Sequence, residues 1–114
     1  MKRILMFAAV GEIATGLSLL IVPSLTAELL LGEGTIGVAI PVARVLGITL
    51  IALGVACWPG SPLAGMLIYS AAVTLYLAYL GVVGDFSGAL LWPAVALHAG
   101  LTTLLGRAWP ATAR

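Results

Sequence analysis

Four long apolar runs, separated by connections rich in glycine and proline, make up most of the sequence. Each run is about as long as an α-helix must be to cross the hydrocarbon core of a bilayer, which is roughly 30 Å thick. Only 8% of the 114 residues are charged, and 62% are hydrophobic. A soluble domain carries about 25% charged residues, so this chain could not cover its apolar surface in water. The sequence therefore predicts an integral membrane protein.

Short connections make sequential spans antiparallel neighbours. Pro23 closes the first run, and Ser24 is a favourable N-cap for a short leucine-rich helix that lies along the membrane surface. We predict an all-α fold, a transmembrane up-and-down four-helix bundle with a short interfacial helix after the first span, in a single domain over residues 1–114. The predicted spans are 4–22, 36–58, 63–83 and 89–106, with the interfacial helix at 24–31 and turns at 58–62 and 84–88.

Charged residues outside the runs are sorted by sign. The basic ones, all at the chain ends, are Lys2, Arg3, Arg107 and Arg114, and the acidic ones, in the first and third connections, are Glu28, Glu33 and Asp85. Four spans place both chain ends on one side and those two connections on the other. Because positive charge marks the cytoplasmic side, we expect a multi-pass protein of the bacterial inner membrane with both termini in the cytoplasm.

Two charged residues, Glu12 and Arg44, lie inside the predicted spans. An unpaired ionised group at the bilayer centre costs about 2.5–3.5 kcal/mol on insertion scales. Counting residues from the span ends puts Glu12 about 13 Å and Arg44 about 12 Å from opposite surfaces, so their levels differ by about 5 Å. We predict an ion pair between them. The pair could fix the register of the helices, or it could serve a ligand or a proton.

The other two spans supply polar residues at a similar depth. His98 of the fourth span and Thr74 and Tyr76 of the third span fall near the midplane, and Tyr69 is a further candidate on the third span. These residues and the Glu12–Arg44 pair would form a buried polar layer. The alternative interpretation is that His98 is a hydrogen-bonded core residue and that the tyrosines only pack. Small residues beside Arg44, Gly47 and Gly54 among them, predict close approach of another helix.

Several chemistries are disfavoured by residue counts. One cysteine, Cys57, and one histidine, His98, cannot form a multi-thiolate or multi-histidine metal site within one chain. We therefore predict no metal site, and the net charge of +1 predicts no nucleic-acid partner. Ala94 precedes His98 by one helical turn, a spacing that can seat a haem or chlorin, but a single instance does not predict either.

The arrangement resembles the DoxX-like group of small four-helix bacterial membrane proteins. The resemblance rests on the proline-closed first span with its leucine-rich segment, on the stretch Ala43-Arg44-Val45-Leu46-Gly47, and on 91–98, Leu-Trp-Pro-Ala-Val-Ala-Leu-His. It covers most of the chain, although its motifs are degenerate. Better-known members are linked to quinone-coupled redox complexes. The resemblance implies an accessory membrane subunit or a small lipophile-binding protein.

Glu12-Ile13-Ala14-Thr15 also resembles the first span of small multidrug resistance transporters, where a glutamate binds protons and substrates. Those proteins do not normally place an arginine opposite that glutamate, because a fixed counter-ion would hold it ionised. Glu12 would carry over as the coupling residue only if Arg44 faces elsewhere. The aromatic and glycine signature of their third span is not clearly matched here.

The favoured function is non-catalytic: an accessory subunit, or a binder of a small lipophilic or quinone-like molecule. In the binding version, Arg44 and His98 donate hydrogen bonds to the ligand and Tyr76 orients it. The alternatives are a proton-coupled small multidrug-resistance-type transporter that uses Glu12, and a structural subunit of a larger membrane complex. The expected partners are the lipid bilayer and either further copies of this chain or that larger complex.

Overall fold

The structure is a computed structural model that describes residues 2–58, 62–84, 86 and 88–112. Every regular element in this part of the chain is a helix, which confirms the predicted all-α fold. The helices are α1 (Lys2–Ile21), α2 (Pro23–Leu31), α3 (Ala39–Cys57), α4 (Pro62–Val83) and α5 (Leu91–Thr112). Residues 59–61 of the first predicted turn, and Asp85 and Ser87 of the second, lie outside the described residues.

Three of the described helices, α1, α3 and α4, are long and apolar enough to cross a membrane. α5 is long enough, since it continues past the predicted end at Gly106 as far as Thr112. It is less apolar than the other three because it contains His98 and Arg107. The chain is therefore a helical protein with three candidate membrane spans, and the four-span bundle stays a prediction.

All five helices begin at other residues than the sequence predicts, and two of these differences have a clear local cause. α3 starts at Ala39 rather than Ile36, because Gly37 has a φ of +58° and so interrupts any helix that would run through it. α2 starts one residue earlier than predicted, at Pro23. Proline suits the first helical position, where the missing N–H would have had no partner. Ser24 is therefore not the N-cap.

Ser24 instead ties the loop after α2 back to the start of that helix. Its hydroxyl accepts a hydrogen bond from the backbone N–H of Thr35, with a donor–acceptor distance of 3.1 Å. Gly34 passes so close that a Cβ there would lie 2.5 Å from Ser24 Oγ. The side chain of Ser24 thus holds the connection between α2 and α3 against the start of α2.

The contacts divide the chain into two compact units, Met1–Gly65 and Met66–Arg114. The first unit holds α1, α2, α3 and the first turn of α4, and the second holds the rest of α4 together with α5. The single domain over residues 1–114 stays a prediction.

In the first unit, glycines bring α1 and α3 into backbone contact. A Cβ on Gly16 would lie 2.5 Å from the carbonyl oxygen of Gly47, and a Cβ on Gly47 would lie 2.5 Å from that of Gly16. Further along, a Cβ on Gly54 would lie 2.8 Å from the carbonyl oxygen of Ala9. At these contacts the residue numbers increase along α1 as they decrease along α3, so the two helices are antiparallel. The predicted close approach at Gly47 and Gly54 is confirmed.

The second unit is built with larger side chains between its helices. A Cβ on Gly81 of α4 would lie 2.6 Å from Cζ2 of Trp92 on α5, so the glycine makes room for the indole. Towards the other end, the rings of Tyr69 and His98 meet edge to face, with their centroids 5.9 Å apart. These two contacts show that α4 and α5 are antiparallel as well.

On α2, the leucines are exposed and the threonine is buried. Leu29 and Leu31 are 77% and 83% exposed, whereas Thr26 is buried at 6%. A helix that faces water would show the opposite arrangement. Exposed leucines of this kind are compatible with a lipid environment, where apolar side chains need no cover.

Candidate functional site

Arg44, the charge predicted deep inside a span, is held at the end of α1. Its Nε–H donates a hydrogen bond to the backbone carbonyl of Leu20, with a distance of 3.2 Å between the heavy atoms. Leu20 is the next-to-last residue of α1, and the last four carbonyls of a helix have no partner within it. A cation at this position also complements the negative end of the helix dipole. Arg44 thus closes the C-terminus of a neighbouring helix.

Glu12 lies half-buried in the middle of α1, well away from that contact. It stands eight residues before Leu20, which corresponds to about 12 Å along the helix axis. It is one turn from both Ala9 and Gly16, so it lies on the flank of the α1–α3 contact. Among the described residues, no hydrogen bond or ion pair engages its carboxylate.

The expected Glu12–Arg44 ion pair is not formed, since the partner of Arg44 is the Leu20 carbonyl. The depth count placed Arg44 too deep because it began the second span at Ile36. With α3 starting at Ala39, Arg44 is only five residues, or about 8 Å, from the helix N-terminus. Its side chain then reaches the end of α1 rather than the middle.

His98 is fixed by a bond within its own helix. Its Nδ1 lies 2.8 Å from the carbonyl oxygen of Ala94, one turn earlier. A carbonyl can only accept, so Nδ1 carries the hydrogen, and in the neutral imidazole Nε2 is the ring nitrogen with a free lone pair. The next turn is braced by Thr102, whose hydroxyl donates to the carbonyl of His98 at 2.7 Å. The ring is therefore positioned and presents one acceptor nitrogen.

Tyr69 is the aromatic residue that meets His98. The two rings are inclined at 68°, in an edge-to-face contact, and both residues are half-buried. Such a pair contributes about 0.5–1.5 kcal/mol beyond the area it buries. A tyrosine hydroxyl and an imidazole nitrogen are thus carried on adjacent, braced rings in the second unit.

Tyr76 and Thr74, the other predicted members of the layer, have different neighbours. Tyr76 stacks on Tyr79, with centroids 6.4 Å apart and rings inclined at 25°. Thr74 donates its hydroxyl to the carbonyl of Ser70, at 2.6 Å, within its own helix. The structure thus brings Tyr69 and His98 together, whereas Tyr76 and Thr74 contact other residues of their own helix.

Ser70 is a residue that sequence reasoning did not select. It is completely buried, and its hydroxyl oxygen has no hydrogen-bond partner among the described residues. Ser70, Val73 and Leu80 are the buried residues that recur at helical spacing on α4. That spacing was the available signal, although it does not reveal an unpaired hydroxyl.

A shallow groove of about 330 Å³ lies between α1 and α2. The Ser18 and Thr26 hydroxyls share a short hydrogen bond in it, and Thr26 also donates to the carbonyl of Val22 at 2.9 Å. The residues that line the groove are Ala14, Thr15, Ser18, Thr26, Leu29 and Leu30. Because the hydroxyls already bond to each other or to their own helices, the groove offers little polar recognition.

Within the described residues, no group of three or more histidine, cysteine, aspartate or glutamate side chains could hold a metal ion. Cys57 is a free, half-buried thiol at the end of α3. Of the predicted site residues, Glu12, Arg44, Tyr69 and His98 each have a polar group that is not bonded within its own helix.

Comparisons of this chain with family models, with curated proteins and with solved structures find no match. The resemblances to the DoxX-like group and to small multidrug resistance transporters therefore stay predictions.

Proposed function

We propose that this chain is a small membrane protein that binds a quinone-like lipophile beside α4 and α5, alone or as an accessory subunit of a larger complex. One observation carries the proposal: His98 uses Nδ1 on Ala94 and keeps Nε2 free, with the ring of Tyr69 against it. A ring held on one side and unused on the other is suited to hydrogen-bonding a ligand.

The tautomer of His98 determines which ligand groups its ring can hydrogen-bond. A neutral His98 accepts at Nε2, so it takes a hydrogen bond from a ligand hydroxyl, as in a hydroquinone. An oxidised quinone has only carbonyl acceptors, and for it the Tyr69 hydroxyl is the donor. This differs from the sequence-based assignment, in which His98 and Arg44 donate and Tyr76 orients. Arg44 bonds to the end of α1 and belongs to the first compact unit, whereas Tyr69 and His98 belong to the second.

Binding of a short-chain benzoquinone and of its hydroquinone to the detergent-purified protein tests the proposal. Because Nε2 of His98 accepts a hydrogen bond from a hydroxyl but not from a carbonyl, we expect the hydroquinone to bind more tightly than the quinone. His98→Ala should weaken hydroquinone binding by about tenfold, the value of one good hydrogen bond. Thr103→Ala is the matched control, since that exposed hydroxyl bonds only to Ala99 of its own helix. Equal affinity of wild type and His98→Ala would refute the site.

The accessory version is tested by purification from native membranes, with mass spectrometry of bound proteins, lipids and quinones. Copurifying redox proteins would support an accessory subunit, and copurifying proteins of other kinds would support a structural subunit. A monodisperse monomer with nothing bound would contradict both the accessory and the binding versions.

A proton-coupled transporter that uses Glu12 is the second candidate, and one observation favours it. The objection from sequence was that Arg44 would hold Glu12 ionised, and Arg44 is instead bonded to Leu20, about 12 Å along α1. In reconstituted vesicles, Glu12→Gln should then abolish uptake of a cationic dye driven by a pH gradient. Unchanged uptake in that variant, or its absence in the wild type, would exclude this function.

We also propose four spans in the bacterial inner membrane, with both termini cytoplasmic. The sorting of basic residues to the chain ends supports this topology, and α5, at 22 residues, is about 33 Å long. Reporter fusions at the two termini should then report the same side. Opposite sides would mean that α1, α3 and α4 alone cross the membrane.

A further inference from the structure

Arg44 has more hydrogen-bonding capacity than its contact with α1 uses. A guanidinium carries five N–H donors in a planar fork, and the bond to Leu20 takes one of them. No carboxylate among the described residues forms an ion pair with Arg44. The remaining donors, on the two Nη atoms, are therefore available to an anion.

The level of the guanidinium identifies which anion can reach it. α1 has 20 residues and is about 30 Å long, the thickness of the hydrocarbon core. Its Leu20 carbonyl therefore lies at the boundary between hydrocarbon and headgroups. The α-carbon of Arg44 is about 8 Å inside α3, and the long side chain extends to that boundary, as basic side chains in membranes do. Lipid phosphates lie immediately outside it.

The geometry points to a binding site for the phosphate of a membrane phospholipid at Arg44. Leu20 fixes the guanidinium by its Nε–H, which leaves the Nη atoms for a phosphate, a group that arginine binds through paired hydrogen bonds. Ile21 and Val22, both exposed next to Leu20, give the acyl chains an apolar surface. Phosphate binding also compensates a charge that would otherwise be costly beside hydrocarbon.

This inference is independent of the quinone site, because it concerns α1 and α3 rather than α4 and α5. Delipidated protein in detergent is titrated with short-chain phosphatidylglycerol, and bound lipid is counted by native mass spectrometry. Arg44→Gln should weaken binding at least tenfold, and Arg44→Lys, which keeps the charge without the fork, severalfold. Arg107→Gln, at an exposed arginine of α5, should leave it unchanged.

Two further ligands distinguish the source of the recognition. Diacylglycerol with the same chains lacks the phosphate and should not bind at the site, and millimolar inorganic phosphate should not displace the lipid. Arg44→Gln that binds as wild type does, diacylglycerol that binds equally well, or displacement by inorganic phosphate would each overturn the proposal. Should Arg44→Gln fail to fold, Arg44→Lys decides, and wild-type affinity in that variant overturns it.

Discussion

Gly16, Gly47 and Gly54 bring α1 and α3 together backbone to backbone, whereas α4 and α5 meet through rings, with Trp92 against Gly81 and Tyr69 against His98. The first contact leaves no space for a ligand between its helices. In the second contact, side chains separate the helices, and two of these side chains carry polar groups: the hydroxyl of Tyr69 and a ring nitrogen of His98. In a chain with few polar groups, we therefore expect a ligand-binding site where two helices meet through side chains rather than through their backbones.

The largest expected effect comes from separating α1 and α3. A side chain at Gly47 meets the carbonyl oxygen of Gly16, and neither backbone can move without breaking the helix contact. Gly47→Leu should lower the free energy of unfolding by about 3 kcal/mol, measured by reversible unfolding in mixed micelles. Gly11→Leu is the control, since a Cβ at Gly11 has no atom within 4 Å. Equal effects at the two positions would show that the close contact is not what stabilises the first unit.

The next effect concerns the part-buried hydroxyl pair of α1 and α2, Ser18 and Thr26. Thr26→Val removes the bond to Val22 and leaves the Ser18 hydroxyl without its partner, so we expect a loss of about 1–2 kcal/mol of unfolding free energy. The same measurement on Thr49→Val, an exposed threonine bonded only within α3, should show a smaller change. If the two losses are equal, the hydroxyl pair adds nothing to the packing of α2.

The Tyr69–His98 contact should contribute about 1 kcal/mol, less than the glycine contact of the first unit. A double-mutant cycle with Tyr69→Leu and His98→Leu, read from unfolding free energies, measures that coupling. The cycle of Tyr79→Leu with His98→Leu serves as its reference, because Tyr79 stacks on Tyr76. Coupling as large for Tyr79 as for Tyr69 would contradict the assignment of the partner.

The smallest expected effect is an absence of coupling between the two charges of the first unit. Glu12→Gln and Arg44→Gln should change the unfolding free energy additively, to within about 0.5 kcal/mol, since Arg44 bonds to the end of α1, about 12 Å from the level of Glu12, and the two side chains share no partner. A coupling above about 1 kcal/mol would restore the ion pair that the sequence suggested. It would also remove the observation that favours proton exchange at Glu12.

The errors in the sequence-based site have specific causes. Depth counting depends on where a helix begins, and the apolar composition of residues 36–38 concealed the left-handed backbone at Gly37. Choosing a partner for Arg44 by side-chain charge ignored the carbonyls at the end of α1, which every helix leaves unpaired. His98 was also selected from the sequence, but its tautomer follows from the Ala94 carbonyl, a backbone atom that residue types do not reveal.

Composition and run length by themselves determined that the chain is helical and that at least three helices can cross a membrane, because both properties depend on the local sequence alone. The glycines also predicted which faces of α1 and α3 pack closely. Only the tertiary structure decided that Arg44 bonds to the end of α1 and that no charged group among the described residues pairs with Glu12. It also decided that Tyr69 is the residue that lies against His98. Those outcomes depend on the register between helices, and a shift of one turn moves a side chain by about 5 Å, more than the reach of a hydrogen bond.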